Sequence, residues 1–451
     1  MPDTVQTQTV DDPFLPPRQA DSGVLPTAEL TAQVHRKVFR HIVPFLMLCY
    51  VISYLDRVNI AFAKLQISQN RSFSESVFGL GAGVFFIGYF VFGLPSNLMM
   101  QKVGARNWLA GIMALWGLCS ATFIFVTTPA SYYILRFLLG AAEAGFFPGV
   151  ILYLTLWFPA YRRARIVALF MTAVPAAGLF GNPLSGWIMS ACDGSFGMRG
   201  WQWMFVIEAL PAILAGMAAL FILDDCIPKA NWLTEDEKKY LAAEIERSVV
   251  GHKDRLHTFS DLMKNGRVWL LCMLYFSIIM GLYGITFWLP TLVHASGVRS
   301  TVNIGLLSAI PFLCAIVAMN LIGRSSDAMR ERRWHIIVPA LVAAVGFVVS
   351  AAYAQNTTIS LIFLSLATAG VMTCTPLFWP LPTSVLSGTA AAAGIALINS
   401  VGNLAGFVSP SLIGYLKDAM HSNVFGMDAL AAIMVLSAFL VWLVPAKLVK
   451  H

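Results

Sequence analysis

Apolar runs of about twenty residues, broken by short polar turns, recur along nearly the whole chain. An α-helix rises 1.5 Å per residue, so roughly twenty residues cross the roughly 30 Å hydrocarbon layer of a bilayer. Twelve runs reach that length: 42–63, 78–100, 107–127, 131–156, 164–191, 201–223, 267–293, 302–323, 335–353, 358–380, 391–416 and 427–446. The pattern predicts an all-α membrane protein of twelve transmembrane helices. The polar, proline-containing residues 1–40 have no charged-then-apolar leader pattern and read as a disordered cytoplasmic tail. Residues 224–266 form the one long interior polar stretch. They divide the chain into a six-helix bundle over 41–223 and a second over 267–447.

Composition agrees with that pattern. Of 451 residues, 58% are hydrophobic and 12% charged, which excludes an ordinary soluble globular protein. The net charge of +7 does not point to nucleic acid, because the basic residues sit mainly in short turns between apolar runs. With the N-terminus inside, the inner turns hold Lys102, Arg106, Arg162, Arg163, Arg165, Arg324, Arg330, Arg332 and Arg333. The outer turns hold only Lys64, Arg71, Arg199, Arg299 and Lys417. The excess inside predicts that both termini are cytoplasmic. The seven cysteines show no paired spacing, so neither a disulfide framework nor a zinc site is expected. No nucleophile elbow, phosphate loop or metal-ligand motif is visible, so an enzyme is not expected.

Within the long linker, Thr234 followed three residues later by Glu237 has capping-box spacing, predicting an amphipathic helix over 235–249. The two halves carry related turns. N-L-M-M-Q-K-V-G-A-R at 97–106 and G-R-S-S-D-A-M-R-E-R-R at 323–333 lie half a chain apart, with Gln101 matching Asp327. Such recurrence predicts parallel repeats with a substrate site between them.

The chemistry is concentrated in two runs. Asp56 and Arg57 lie side by side in the first, and Arg136 and Glu143 share one face of the fourth, two turns apart. A charged side chain at such depth costs at least about 2.5–3.5 kcal/mol, so these groups are expected to face an interior cavity and pair. An arginine stays protonated and can hold a carboxylate through two parallel hydrogen bonds. Buried carboxyl groups can exchange protons. The expected assignment is proton coupling by Asp56 and Glu143, charge balance by Arg136 and anion binding by Arg57. Tyr50 and Tyr54 fall on the Arg57 side of their helix, and Tyr89 interrupts the second run. The second half has no ionisable group well inside its runs. It offers polar and aromatic groups such as Tyr283, Trp379, Asn399 and Asn403, suited to hydroxyls or a ring.

These residues resemble the major facilitator superfamily, and within it the anion:cation symporters that include sialin and the galactonate, tartrate and phthalate carriers. The resemblance runs from about Arg36 to Val444. It rests on Y-L-D-R-V-N-I at 54–60, R-F-L-L-G-A-A-E-A-G-F-F-P-G at 136–149, W-F-P at 157–159 and N-S-V-G-N-L-A-G at 399–406. It implies protonation at Asp56 and Glu143, a substrate carboxylate on Arg57, Arg136 as the balancing cation, and Tyr54, Tyr89, Trp379 and Asn399 in the pocket. The chain departs from the family pattern at Gln101, where the loop motif usually has Asp. The implied function is import of a small organic anion, a sugar acid, tartrate-like acid or aromatic carboxylate, by alternating access. Protons would be the coupling ion, with no other cofactor. An anion exchanger or facilitative uniporter is the alternative. A monomer in the bacterial inner membrane, with no nucleic-acid partner, completes the expectation.

Overall fold

A computed structural model describes residues 28–68, 73–250, 264–385 and 389–445. Among these residues the chain is helical, with no β-strand. The helices are α1 (Ala28–Val58), α2 (Ile60–Ile67), α3 (Glu75–Val103), α4 (Ala105–Ala121), α5 (Pro129–Glu143), α6 (Phe146–Trp157), α7 (Ala160–Met171), α8 (Ala173–Ala191) and α9 (Gly200–Ile222). After the linker helix α10 (Glu235–Val250) come α11 (Gly266–Ala295), α12 (Thr301–Met329), α13 (Arg333–Ala352), α14 (Thr357–Phe378), α15 (Pro380–Val385), α16 (Thr389–Met420) and α17 (Val424–Leu443).

Among the described residues eleven stretches are long and apolar enough to cross a membrane, and their ends fall within a few residues of the expected runs for most of them. The fifth run is helical as α7 and α8, which meet at Thr172. Asn182 in α8 donates to the Ser308 carbonyl of α12 at 3.2 Å, so this helix meets protein rather than lipid on that face. One difference concerns the first forty residues. The part from Ala28 onward is already helix, and Val34 and Val38 are fully buried, so the expected tail extends too far. The remainder of that tail lies outside the described residues.

The linker helix forms as expected. Thr234 Oγ1 accepts from Glu237 N–H and Glu237 Oε2 from Thr234 N–H, closing the capping box. Lys37 to Glu237 and His35 to Glu244 contacts hold it against the start of α1.

Helices over 28–222 pack among themselves, as do those over 266–443. The two groups meet chiefly where α3 crosses α16, α8 crosses α12 and α2 crosses α11. All three crossings lie at the end of the bundle away from the chain termini. Gly79 shows how tight this seal is: a Cβ there would sit 2.2 Å from the Pro410 carbonyl oxygen, so only glycine lets the backbones approach. The cavity described next lies on the terminal side of that seal.

Candidate functional site

The site begins where α1, ending at Val58, runs on into α2, starting at Ile60. Asn59 between them keeps helical angles, φ −57° and ψ −26°. Asp56 and Arg57 sit just before this junction. Adjacent residues on a helix point about 100° apart, so these two cannot serve one partner. Arg57 turns toward α5, where its Nη2 pairs with Glu143 Oε1, and Ser53 Oγ, one turn earlier, donates to the same oxygen. Glu143 is fully buried and Arg57 nearly so. Gly140, one turn before Glu143, lets α5 lie close against α3. A Cβ there would overlap the Phe85 carbonyl oxygen of α3 at 1.9 Å.

Arg57 also spans the interface between the halves. Its Nη1 donates to the Tyr283 hydroxyl of α11 at 3.2 Å. The rings of Phe85, Tyr89 and Tyr54 surround the guanidinium with centroids at 5.1, 5.2 and 5.7 Å, a cation–π cage. A cavity of about 70 Å³ opens beside it, several times the roughly 10–15 Å³ that one water needs. Tyr50, Tyr54, Arg57 and Tyr89 line it from the first half. Tyr275, Tyr283, Thr375, Asn399 and Asn403 line it from the second, with Phe147, Met171, Met319 and Met372 between. The Tyr50 ring stacks on Phe170 at 4.4 Å, which sets its orientation.

The expected single cluster of two acids and two bases separates into three parts. Asp56 faces α4, where Ser120 Oγ donates to Oδ1 at 2.9 Å. Arg136 is fully buried but has no carboxylate within ion-pair distance among the described residues. It donates instead to the carbonyls of Gly81, Ala82 and Arg57 at 3.3, 3.2 and 3.4 Å. Arg57 is the cation in direct contact with Glu143, whereas Arg136 lies within reach of that charge without pairing to it and ties α5 to α3 and α1. Trp379 also differs from expectation. It lies against the Tyr275 ring at 4.9 Å, behind the cavity wall rather than in it.

Tyr275 and Thr375, further polar groups offered by the second-half runs, line the cavity as well. One residue escaped the sequence reading. Glu208 of α9 is 1% exposed and accepts from Ser185 Oγ at 2.6 Å. An acid in the middle of an apolar run was signal enough to find it. Lys64, counted among the outer-turn residues, is instead 3% exposed, paired with Glu75 and 3.5 Å above the Trp288 ring centre.

The Major Facilitator Superfamily model matches residues 46–410. The chain belongs to the major facilitator superfamily. It is thus a multi-pass membrane transport protein and not an enzyme. Among similar curated proteins is the "Putative metabolite transport protein NicT" of Pseudomonas putida, 46% identical over 421 residues, covering 93% of this chain and 96% of that one. A "Putative tartrate transporter" of Agrobacterium vitis is 47% identical over 420 residues, covering 93% of each. The "Inner membrane transport protein RhmT" of Escherichia coli is 38% identical, covering 92% of this chain and 96% of that one. Among solved structures, the D-xylose-proton symporter aligns with a TM-score of 0.71 at 20% identity, over 91% of this chain and 98% of that one. At that identity the likeness concerns the fold. The superfamily fold accounts for the cavity's position, between the halves and beside the first membrane helix.

Proposed function

We propose that this transporter carries a small organic carboxylate together with a proton by alternating access. The observation that carries the reading is the Arg57–Glu143 pair at the cavity wall. Ionised Glu143 engages the one guanidinium that faces the cavity. A proton on Glu143 removes its charge and frees Arg57 to hold a substrate carboxylate through two parallel hydrogen bonds. Proton and anion then favour one another's binding, the linkage that symport requires. Asp56 assists as a second protonatable group. The tyrosines and the Asn399 and Asn403 amides would meet the rest of the anion, and the tartrate transporter name of a 47% identical relative supports an organic acid as cargo. The contact between Arg57 and Tyr283 would report occupancy to the second half. We place the protein in a bacterial inner membrane with both termini cytoplasmic, as the basic turns favour.

Uptake of labelled tartrate, sugar acids and aromatic carboxylates into proteoliposomes under an imposed proton gradient tests this. Wild type should accumulate at least one of them against its gradient. Glu143→Gln should abolish uphill accumulation while keeping counterflow, which moves no net proton. Accumulation by Glu143→Gln at the wild-type level would remove Glu143 from the coupling step. Wild-type uptake that ignores the proton gradient would favour the exchanger or uniporter instead.

A further inference from the structure

Behind the Arg57–Glu143 pair the first half holds a second buried polar cluster. Four parts of the chain converge on it: Asp56 and Asn59 at the junction of α1 and α2, Ser120 of α4, Ser185 of α8 and Glu208 of α9. All five are at most 1% exposed. None lines the cavity beside Arg57. Ser120 serves one oxygen of Asp56 and Ser185 one oxygen of Glu208. The other oxygens, Asp56 Oδ2 and Glu208 Oε2, make no well-formed hydrogen bond among the described residues, but the Trp116 indole of α4 approaches Asp56 and the Asn59 amide approaches Glu208. Asn59 lies beside Glu208, and Glu208 and Glu143 are near enough to Asp56 for their charges to act on it.

No lysine, arginine or histidine pairs with Asp56 or Glu208 among the described residues. The titratable groups in this cluster are these two acids, with Glu143 beyond them. α4 contributes the Ser120 hydroxyl and the Trp116 indole N–H, and α8 the Ser185 hydroxyl. Arg57 is committed to Glu143 on the other side of α1. A carboxylate buried without a cation is strongly disfavoured, so at least one of the two acids fits only as the neutral form. Two carboxyl groups close together titrate as a pair that shares protons. A neutral acid also needs an acceptor for its O–H, and the free oxygens of Asp56 and Asn59 supply it.

We propose that Glu208 is a third proton-carrying group, forming with Asp56 a relay that delivers protons to Glu143 through the first bundle rather than through the substrate cavity. This rests on the proton-coupled reading above. In the step, the Glu208 O–H bond breaks as an O–H bond forms on ionised Asp56, and the Asp56 O–H then breaks as one forms on ionised Glu143. Glu208 is left ionised and takes its next proton from water admitted when the bundle opens.

Two measurements test it on the full-length protein in lipid. The first needs no substrate. The infrared spectrum at neutral pH should contain a protonated-carboxyl C=O band that Glu208→Gln removes and Glu208→Asp shifts. The second uses tartrate, with the aromatic and sugar acids as further probes. Glu208→Gln should keep counterflow yet lose at least about tenfold of gradient-driven uptake and flatten its pH profile, while Glu208→Asp restores much of it. An unchanged spectrum in both variants, or a wild-type pH profile in Glu208→Gln, overturns the relay and leaves Glu143 coupling intact. Wild-type uptake indifferent to the proton gradient would instead fell the symport reading, and the relay with it.

Discussion

At the scale of single residues, the two buried arginines of α1 and α5 do different physical work. Arg57 offers donors to a carboxylate, to a tyrosine of the other half and to the cavity, whereas Arg136 is spent on three backbone carbonyls. Arg57→Lys keeps the charge but loses the planar fork. A charge-assisted contact is worth about 1.5–3 kcal/mol, so affinity for the carried anion should fall roughly 10- to 150-fold. Arg136→Lys should leave affinity within about threefold but lower the melting temperature, because helix-to-helix hydrogen bonds are lost. Binding by calorimetry and unfolding by thermal scan on both variants separate the roles. Normal binding in Arg57→Lys with lost binding in Arg136→Lys would reverse the assignment.

At the scale of elements, the seal between the halves is held by a charged latch. Glu75 at the start of α3 takes Lys64 of α2 and, at 2.8 Å, Lys417 of α16. Asp418 of α16 accepts the N–H groups of Glu75 and Ser76 at 3.2 and 2.7 Å, capping α3 from the other half. Alternating access requires these contacts to break. Asp418→Asn should weaken the cap by about 1–2 kcal/mol, raising the population open at this end roughly tenfold. A cysteine at Phe78, under the latch, should then react faster with an impermeant thiol reagent. An unaltered labelling rate would show that the latch does not hold the closed state. A helix terminus outside the membrane provides a pH signature. Burial pushes the Glu331 carboxyl up, but the Trp334 N–H and the His335 ring outweigh it and hold it below the usual carboxylate range. Its stabilising effect is therefore present above about pH 4 and fades as pH falls through the depressed value. Glu331→Gln should cost about 1 kcal/mol near neutral pH, with the gap to wild type closing in acid on thermal unfolding.

At the scale of the whole molecule, the three crossings between halves all lie at the end remote from the termini, with the cavity on the other side. Rocking of the halves about the cavity would open one end as it closes the other. Single cysteines at Thr301 and Arg332 should be labelled from opposite sides of the membrane. Labelling of both from one side would contradict the order of spans.

The sequence by itself determined the membrane class, the positions of the spans, the capping box of α10 and the presence of the ionisable groups Asp56, Arg57 and Glu143 inside apolar runs. Each of those follows from local rules: twenty apolar residues must cross, and an ion in hydrocarbon must have a reason. Partner choice was not legible. Asp56 and Arg57 look like one unit in the chain, yet the 100° step between neighbours sends one to Ser120 and the other to Glu143. Arg136 and Glu143 share a helical face, yet Gly140 brings α3 so close that the backbone carbonyls of Gly81 and Ala82 take Arg136. Such pairings depend on distances between helices far apart in the chain. Those distances are set by glycines and side-chain volumes on two surfaces at once, which is why only the tertiary structure decided them.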